Sequence, residues 1–104
     1  MDYRVYVTDD AYEALDRYIY YLLFVKKNEQ AAENVLQDFE ETKNQLRSIA
    51  VSIKECTNSR LKELGYRRIN FLHHRYFMLY RVEKDMVIID HIFHELQDFE
   101  NKMH

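Results

Sequence analysis

Proline is absent from this 104-residue chain, tryptophan is absent, Gly65 is the only glycine and Cys56 the only cysteine. Without the usual turn formers, long helices and few tight turns are expected. One cysteine excludes an internal disulfide framework and a thiolate zinc cluster, and a reducing cytoplasm is the natural compartment. Long apolar runs are missing too. The best one, Tyr18 to Val25, falls far short of a membrane span, so no membrane contact is expected. Met1-Asp2-Tyr3-Arg4 leads straight into a strand-like pattern rather than a signal peptide.

What is present suffices for one modest core. Hydrophobic residues make up 47% and aromatic residues 14% of the chain, which speaks against disorder and for a single domain over residues 1–104. The net charge is -3, but cations concentrate in one segment. Arg60, Lys62, Arg67, Arg68, Arg75 and Arg81 stand there against Glu63 alone. A basic segment in an acidic chain suits a local anion-facing surface; solvated strand positions are the plainer account.

Tyr3, Val5 and Val7 alternate with Arg4, Tyr6 and Thr8, as in a strand. Thr8 then fits a helix N-cap, with Asp9 and Asp10 in the first turn. The spacing of Ala11, Leu15, Ile19 and Leu22, widened by Tyr18 and Leu23, predicts a helix from about Asp9 to Lys26. Asn28 can cap a second helix from about Glu29 to Ile53, so the two form an antiparallel hairpin. Its stripe is Ala32, Val35, Leu36, Phe39, Leu46, Ile49, Ala50 and Ile53; Glu33, Asp38, Glu41, Lys43 and Arg47 are expected on the exposed side.

Lys54 to Gly65 reads as a polar linker with room for a short helical turn. Strands are expected at Tyr66–Leu72, Tyr76–Val82 and Met86–Phe93, joined by turns at Leu72–Arg75 and Glu83–Asp85. The last two are apolar on both faces, which suits the middle of a sheet. Leu96, Phe99 and Met103 are spaced for a short C-terminal helix or a frayed tail. The expected fold is α+β, in the order β-α-α-β-β-β. A helix hairpin packs on a four-stranded, largely antiparallel sheet.

That order resembles the RelE/ParE superfamily of toxins from type II toxin–antitoxin systems. Thr8-Asp9-Asp10-Ala11-Tyr12-Glu13-Ala14-Leu15 looks like the family's opening. Gly65-Tyr66-Arg67-Arg68-Ile69 looks like the start of its second strand, and Tyr76-Phe77-Met78-Leu79-Tyr80-Arg81-Val82 like its central strand. Val87 to His94 looks like its last strand, which often closes on histidine. The resemblance implies a cognate antitoxin as partner. It implies one of two activities, inhibition of DNA gyrase by binding (ParE-like) or ribosome-dependent cleavage of messenger RNA (RelE-like). Both go with growth inhibition and plasmid stabilisation, and a toxin-like binding domain without toxicity is a further alternative. The long hairpin is more ParE-like.

Metal-independent RNA cleavage needs a base, an acid and cations around the phosphate. The catalytic candidates are Arg68, Arg75, Arg81 and His94, with His91 next among the imidazoles; Arg67, Arg68, Arg75 and Arg81 are the candidates for facing a target or nucleic acid. Two departures from the RelE-like pattern stand out. Phe77 occupies the place that resembles a phosphate-clamping arginine, and Gln97 the place where the family often has an arginine before aspartate. Arg75 lies two residues earlier, roughly 6–7 Å along an extended strand. His73 and His74 are adjacent, and on a strand would point apart, so no metal and no cofactor are expected. Tyr20, Tyr21 and Phe24 exceed what one helix face buries, which leaves open a homodimer or a toxin–antitoxin hetero-oligomer.

Overall fold

Alternation at the N-terminus becomes strand β1, Arg4–Val7, in a computed structural model that describes residues 2–96. Val7 is buried and Val5 packs beside it, while Arg4 and Tyr6 face out. Thr8 caps helix α1, Asp9–Tyr20, its hydroxyl accepting from Ala11 N–H at 3.2 Å. α1 continues as a π-helical turn, Tyr21–Val25, in which Lys26 N–H reaches back to the Tyr21 carbonyl. Lys27 turns the chain with φ 52, a left-handed conformation that a glycine would adopt more easily.

Asn28 then caps helix α2, Glu29–Ile49, accepting from Ala31 N–H at 3.0 Å. α2 stops at Ile49 rather than reaching Ile53. The Ala50 carbonyl accepts a hydrogen bond from the buried Tyr80 hydroxyl at 2.7 Å, which anchors the helix end to the sheet. A short helix α3, Ser59–Glu63, occupies the linker and is capped by Asn58. It closes at Gly65, whose φ of 82 lets Tyr66 N–H return to the Leu61 carbonyl.

Strands β2 (Arg67–Asn70), β3 (Tyr76–Glu83) and β4 (Met86–His94) follow. The sheet order is β1-β4-β3-β2. β2, β3 and β4 form the expected antiparallel meander, and β1 pairs parallel to β4, Val5 opposite Val87. The two strands without clean alternation are thus the central ones. β3 feeds two cores. Tyr76, Met78 and Tyr80 pack under the helix hairpin with Leu15, Phe39 and Leu46, while Phe77 and Leu79 pack on the opposite face with Leu61 and Tyr66.

Two expectations for α2 are corrected. Leu36, placed on its apolar stripe, is 41% exposed. Asp38, placed on the exposed side, is buried together with Thr42. Both lie on the same helical face as Val35, Phe39 and Leu46, three or four residues apart, so helix geometry turns them inward. Buried carboxylates need partners. Asp38 accepts from the N–H groups of Leu72 and His73, at 3.0 and 2.9 Å, and meets His74 Nδ1 at 2.7 Å. A single side chain on α2 thereby holds the β2–β3 turn. Expectations for Phe99 and Met103, and for Gln97, fall outside the described residues.

Candidate functional site

The sheet face away from the hairpin is only partly covered by α3, and it gathers most of the polar side chains that β2, β3 and β4 present. A bulge shapes it. Leu79 pairs with His91 and Tyr80 with Ile89, so Asp90 is the extra residue. Its carboxylate turns onto the α3 face, where the Tyr66 hydroxyl donates to Oδ2 at 3.0 Å and Arg81 Nε donates to the same oxygen at 2.8 Å. Arg81 also pairs with Glu83 through Nη1.

The electrostatics set the charge states of the groups on this face. Burial and the Asp90 carboxylate push the Tyr66 hydroxyl up to about 12, so it stays a neutral donor. The hydrogen bond to Asp90 raises the Arg81 guanidinium further above its already high value. Next to this network the His91 ring lies between Tyr66, edge-on at 5.7 Å, and Phe93, stacked at 5.8 Å. Burial there lowers the imidazole pKa and favours the neutral ring.

Arg68 lies on the same face, its guanidinium 3.8 Å above the Phe77 ring and its Nε donating to Asn70 at 2.9 Å. Phe77 is fully buried. At the position that resembles a phosphate-clamping arginine, this chain therefore has an aromatic floor with an arginine lying on it. A hollow of about 320 Å³ adjoins it, bounded among others by Glu55, Thr57, Asn58 and Arg68.

The remaining candidates point elsewhere. Arg67 pairs with Tyr80 in register and is held by the Ile53 carbonyl on the hairpin side. Arg75 is exposed in the bend before β3, outside the strand. His94, opposite Tyr76, packs edge-on against that ring at 5.0 Å, and its backbone N–H donates to the Tyr18 hydroxyl at 3.1 Å. Arg68 and Arg81 thus share a face with His91, whereas His94 lies across the sheet and Arg75 beyond its end.

No protein-family model matches the chain, and no curated protein matches it. A solved structure does. Over 88% of this chain and 95% of the other, the fold superposes with a TM-score of 0.70 on a chain of the structure described as "Chromosomal ParDE TA system from P. aeruginosa". The two are 19% identical, so the likeness is one of fold. It agrees with the α+β order and the helix hairpin read from the residues.

Two features of the molecule have a signal in the sequence that residue type alone obscures. Asp90 interrupts the apolar run Val87–Phe93, which marks a place where the strand departs from regular pairing. Asp38 and Thr42 fall on the periodic apolar stripe of α2, which marks them as inward-facing despite their polarity. Among the described residues, no group of three histidine, cysteine, aspartate or glutamate side chains is arranged to hold a metal ion.

Proposed function

We propose that the chain is the toxin of a type II toxin–antitoxin pair. It inhibits growth by binding a macromolecular target such as DNA gyrase, and a cognate antitoxin neutralises it. The fold likeness to a chain of a ParDE TA system supports the toxin assignment. The observation that favours binding over cutting is the fate of the candidate arginines. Arg81 is neutralised by Asp90 and Glu83, Arg68 rests on Phe77, and neither shares a face with His94. Phosphoryl chemistry needs cations and an acid–base group around one point.

Purified gyrase tests the reading directly. The protein should inhibit supercoiling, and saturating protein without effect would remove gyrase as the target. A ribosome-dependent ribonuclease is the second reading. It draws support from Arg68, Arg81 and His91 occupying one sheet face. Transcript mapping after induced expression separates the two: cuts in codon register support the nuclease, and intact transcripts in growth-arrested cells support the binder.

A further inference from the structure

Between the last turns of the first helix and the end of β4 lies a hollow that the network around Asp90 does not touch. It measures about 550 Å³ and is lined by Arg17, Tyr18, Tyr21, Leu22, Tyr76 and His94. That volume falls within the usual range of small-molecule sites. Three tyrosine rings and Leu22 supply most of its surface. Tyr76 is buried, Tyr18 is half-buried, and Tyr21 stands at the rim, 47% exposed. Tyr18 meets Tyr76 edge-on with ring centroids 5.0 Å apart, and His94 meets Tyr76 in the same way at 5.0 Å. Burial raises the pKa of the Tyr18 and Tyr76 hydroxyls, so both rings stay neutral.

The charges around the hollow have one sign. No carboxylate lines it. Asp16, next to Arg17 in sequence, borders a neighbouring depression with Tyr20 and Val25 instead. Arg17 forms no ion pair among the described residues. Lys26 adds a second cation. In a regular α-helix a residue five positions further on lies about 140° round the axis. The π-helical turn Tyr21–Val25 is wider, and the Lys26 ammonium comes back to 5.7 Å from the centre of the Tyr21 ring. His94 contributes a donor. Its Nδ1 accepts from Leu96 N–H at 3.2 Å, so the ring proton sits on Nε2.

Flat apolar walls, a guanidinium at the mouth and no acid in the lining suit one class of ligand. Tyrosine rings favour stacking with another ring. Apolar walls strengthen the attraction of a guanidinium for an anion, and they repel a cation for the same reason. We propose that this hollow binds a small planar aromatic molecule carrying an anionic group, a carboxylate or a phosphate. Arg17 holds the anion in a charge-assisted hydrogen bond, His94 Nε2–H is the second donor, and the ligand ring lies against Tyr21 and Tyr76. The proposal does not rest on the toxin reading, since its test reads binding and not growth.

NMR titration of the isotope-labelled full chain tests it, with benzoate and phenyl phosphate as probes. Either anion should shift the amides of Arg17 to Leu22, Tyr76 and His94, with a Kd on the order of 1 mM or tighter. The tighter of the two identifies the anionic group. Benzyl alcohol, which keeps the ring without the charge, should bind about tenfold more weakly, and benzylamine more weakly still. Arg17→Gln should weaken benzoate about tenfold and flatten the salt dependence. Tyr21→Phe should keep the affinity, whereas Tyr21→Ala should lose it about tenfold. Arg17 and Tyr21 are exposed, and circular dichroism checks that the variants stay folded. Absence of any shift up to about 10 mM overturns the proposal. So does benzylamine binding as tightly as benzoate, or a benzoate affinity that Arg17→Gln leaves unchanged.

Discussion

Arg81 and Asp90 meet across the β-bulge, Nε to Oδ2 at 2.8 Å, on the sheet face away from the helix hairpin. The bulge is what makes the meeting possible, because it supplies the one residue of β4 that has no partner on β3. Asp90 then collects Tyr66 as well, so a strand, its neighbour and the residue before β2 converge on one carboxylate.

Removing that carboxylate should be felt through both donors. Asp90→Ala leaves the Arg81 guanidinium and the Tyr66 hydroxyl short of an acceptor and should cost about 1–2 kcal/mol, at the lower part of the usual range because Arg81 is partly solvated. Urea denaturation of Asp90→Ala, Tyr66→Phe and the double variant checks it. The two changes should be non-additive by about 0.5–1 kcal/mol; additive losses would mean that the pair is not coupled.

Asp38 should be the more sensitive carboxylate. Asp38→Ala deprives the Leu72 and His73 N–H groups of their acceptor at once and should cost about 2–4 kcal/mol; His74→Ala should cost about 1 kcal/mol. Burial alone would raise the Asp38 pKa, but the hydrogen bonds from His74, His73 and Leu72 outweigh it and hold the carboxyl below its ordinary 3.8. Its folded value lies below the unfolded one, so its contribution is full above about pH 4 and is lost as pH falls through the lower folded value. Acid denaturation midpoints of wild type and Asp38→Asn should reflect that window, with the wild type losing its advantage only in strong acid.

His91 gives a second, milder pH dependence. Burial holds its imidazole pKa below the ordinary 6.5, with Asp90 and Asp10 opposing in part. The unfolded chain takes up the proton first, so the contribution is full above pH 6.5 and declines as pH falls toward the folded value. Between pH 7 and pH 5 the wild type should therefore lose more stability than His91→Phe, which keeps a ring between Tyr66 and Phe93. Equal slopes would show that His91 is not held neutral.

Lys84 closes the β3–β4 hairpin with φ 55, in the left-handed region where a Cβ is unfavourable. Lys84→Gly removes that cost at the price of a more flexible unfolded chain, and should change stability by +0.5 to +1 kcal/mol, about the usual size of such an exchange. A shift of the urea midpoint upward, with unchanged slope, is the expected result.

Arg75 offers a clean separation of stability from function. It is exposed, outside β3, and its side chain holds no structural bond among the contacts described, so Arg75→Ala should leave stability within about 0.5 kcal/mol. Loss of growth inhibition with stability intact would assign Arg75 to the target surface; retained inhibition would remove it from the candidates.

Much of the fold was legible in the residues. The caps Thr8 and Asn28, the alternation of Tyr3 to Thr8 and the hairpin that follows from the short Lys26–Asn28 connection rest on interactions among near neighbours. So does the antiparallel meander, whose turns are only a few residues long. The candidate site was legible in part. The basic segment does supply Arg68 and Arg81 to one face, but the residue pattern puts His94 ahead of His91 as the imidazole to accompany them, and the sheet places His91 there instead. A bulge shifts register by one residue, and its position depends on which strands pair, which no local pattern contains.

The sequence by itself determined which segments are helices and strands, because hydrophobic period, capping and the lack of proline and glycine act over a few residues. It did not place Asp38: polarity set that residue on the exposed side, although the 3.6-residue period carries it inward with Thr42. Only the tertiary structure decided that β1 lies parallel to β4, that Asp38 holds a turn more than thirty residues away, and that Arg81 is paired with Asp90 and Arg68 stacked on Phe77. Those outcomes depend on contacts between residues distant in sequence, where burial makes every unpaired charge costly and so selects the partner that the fold brings within reach.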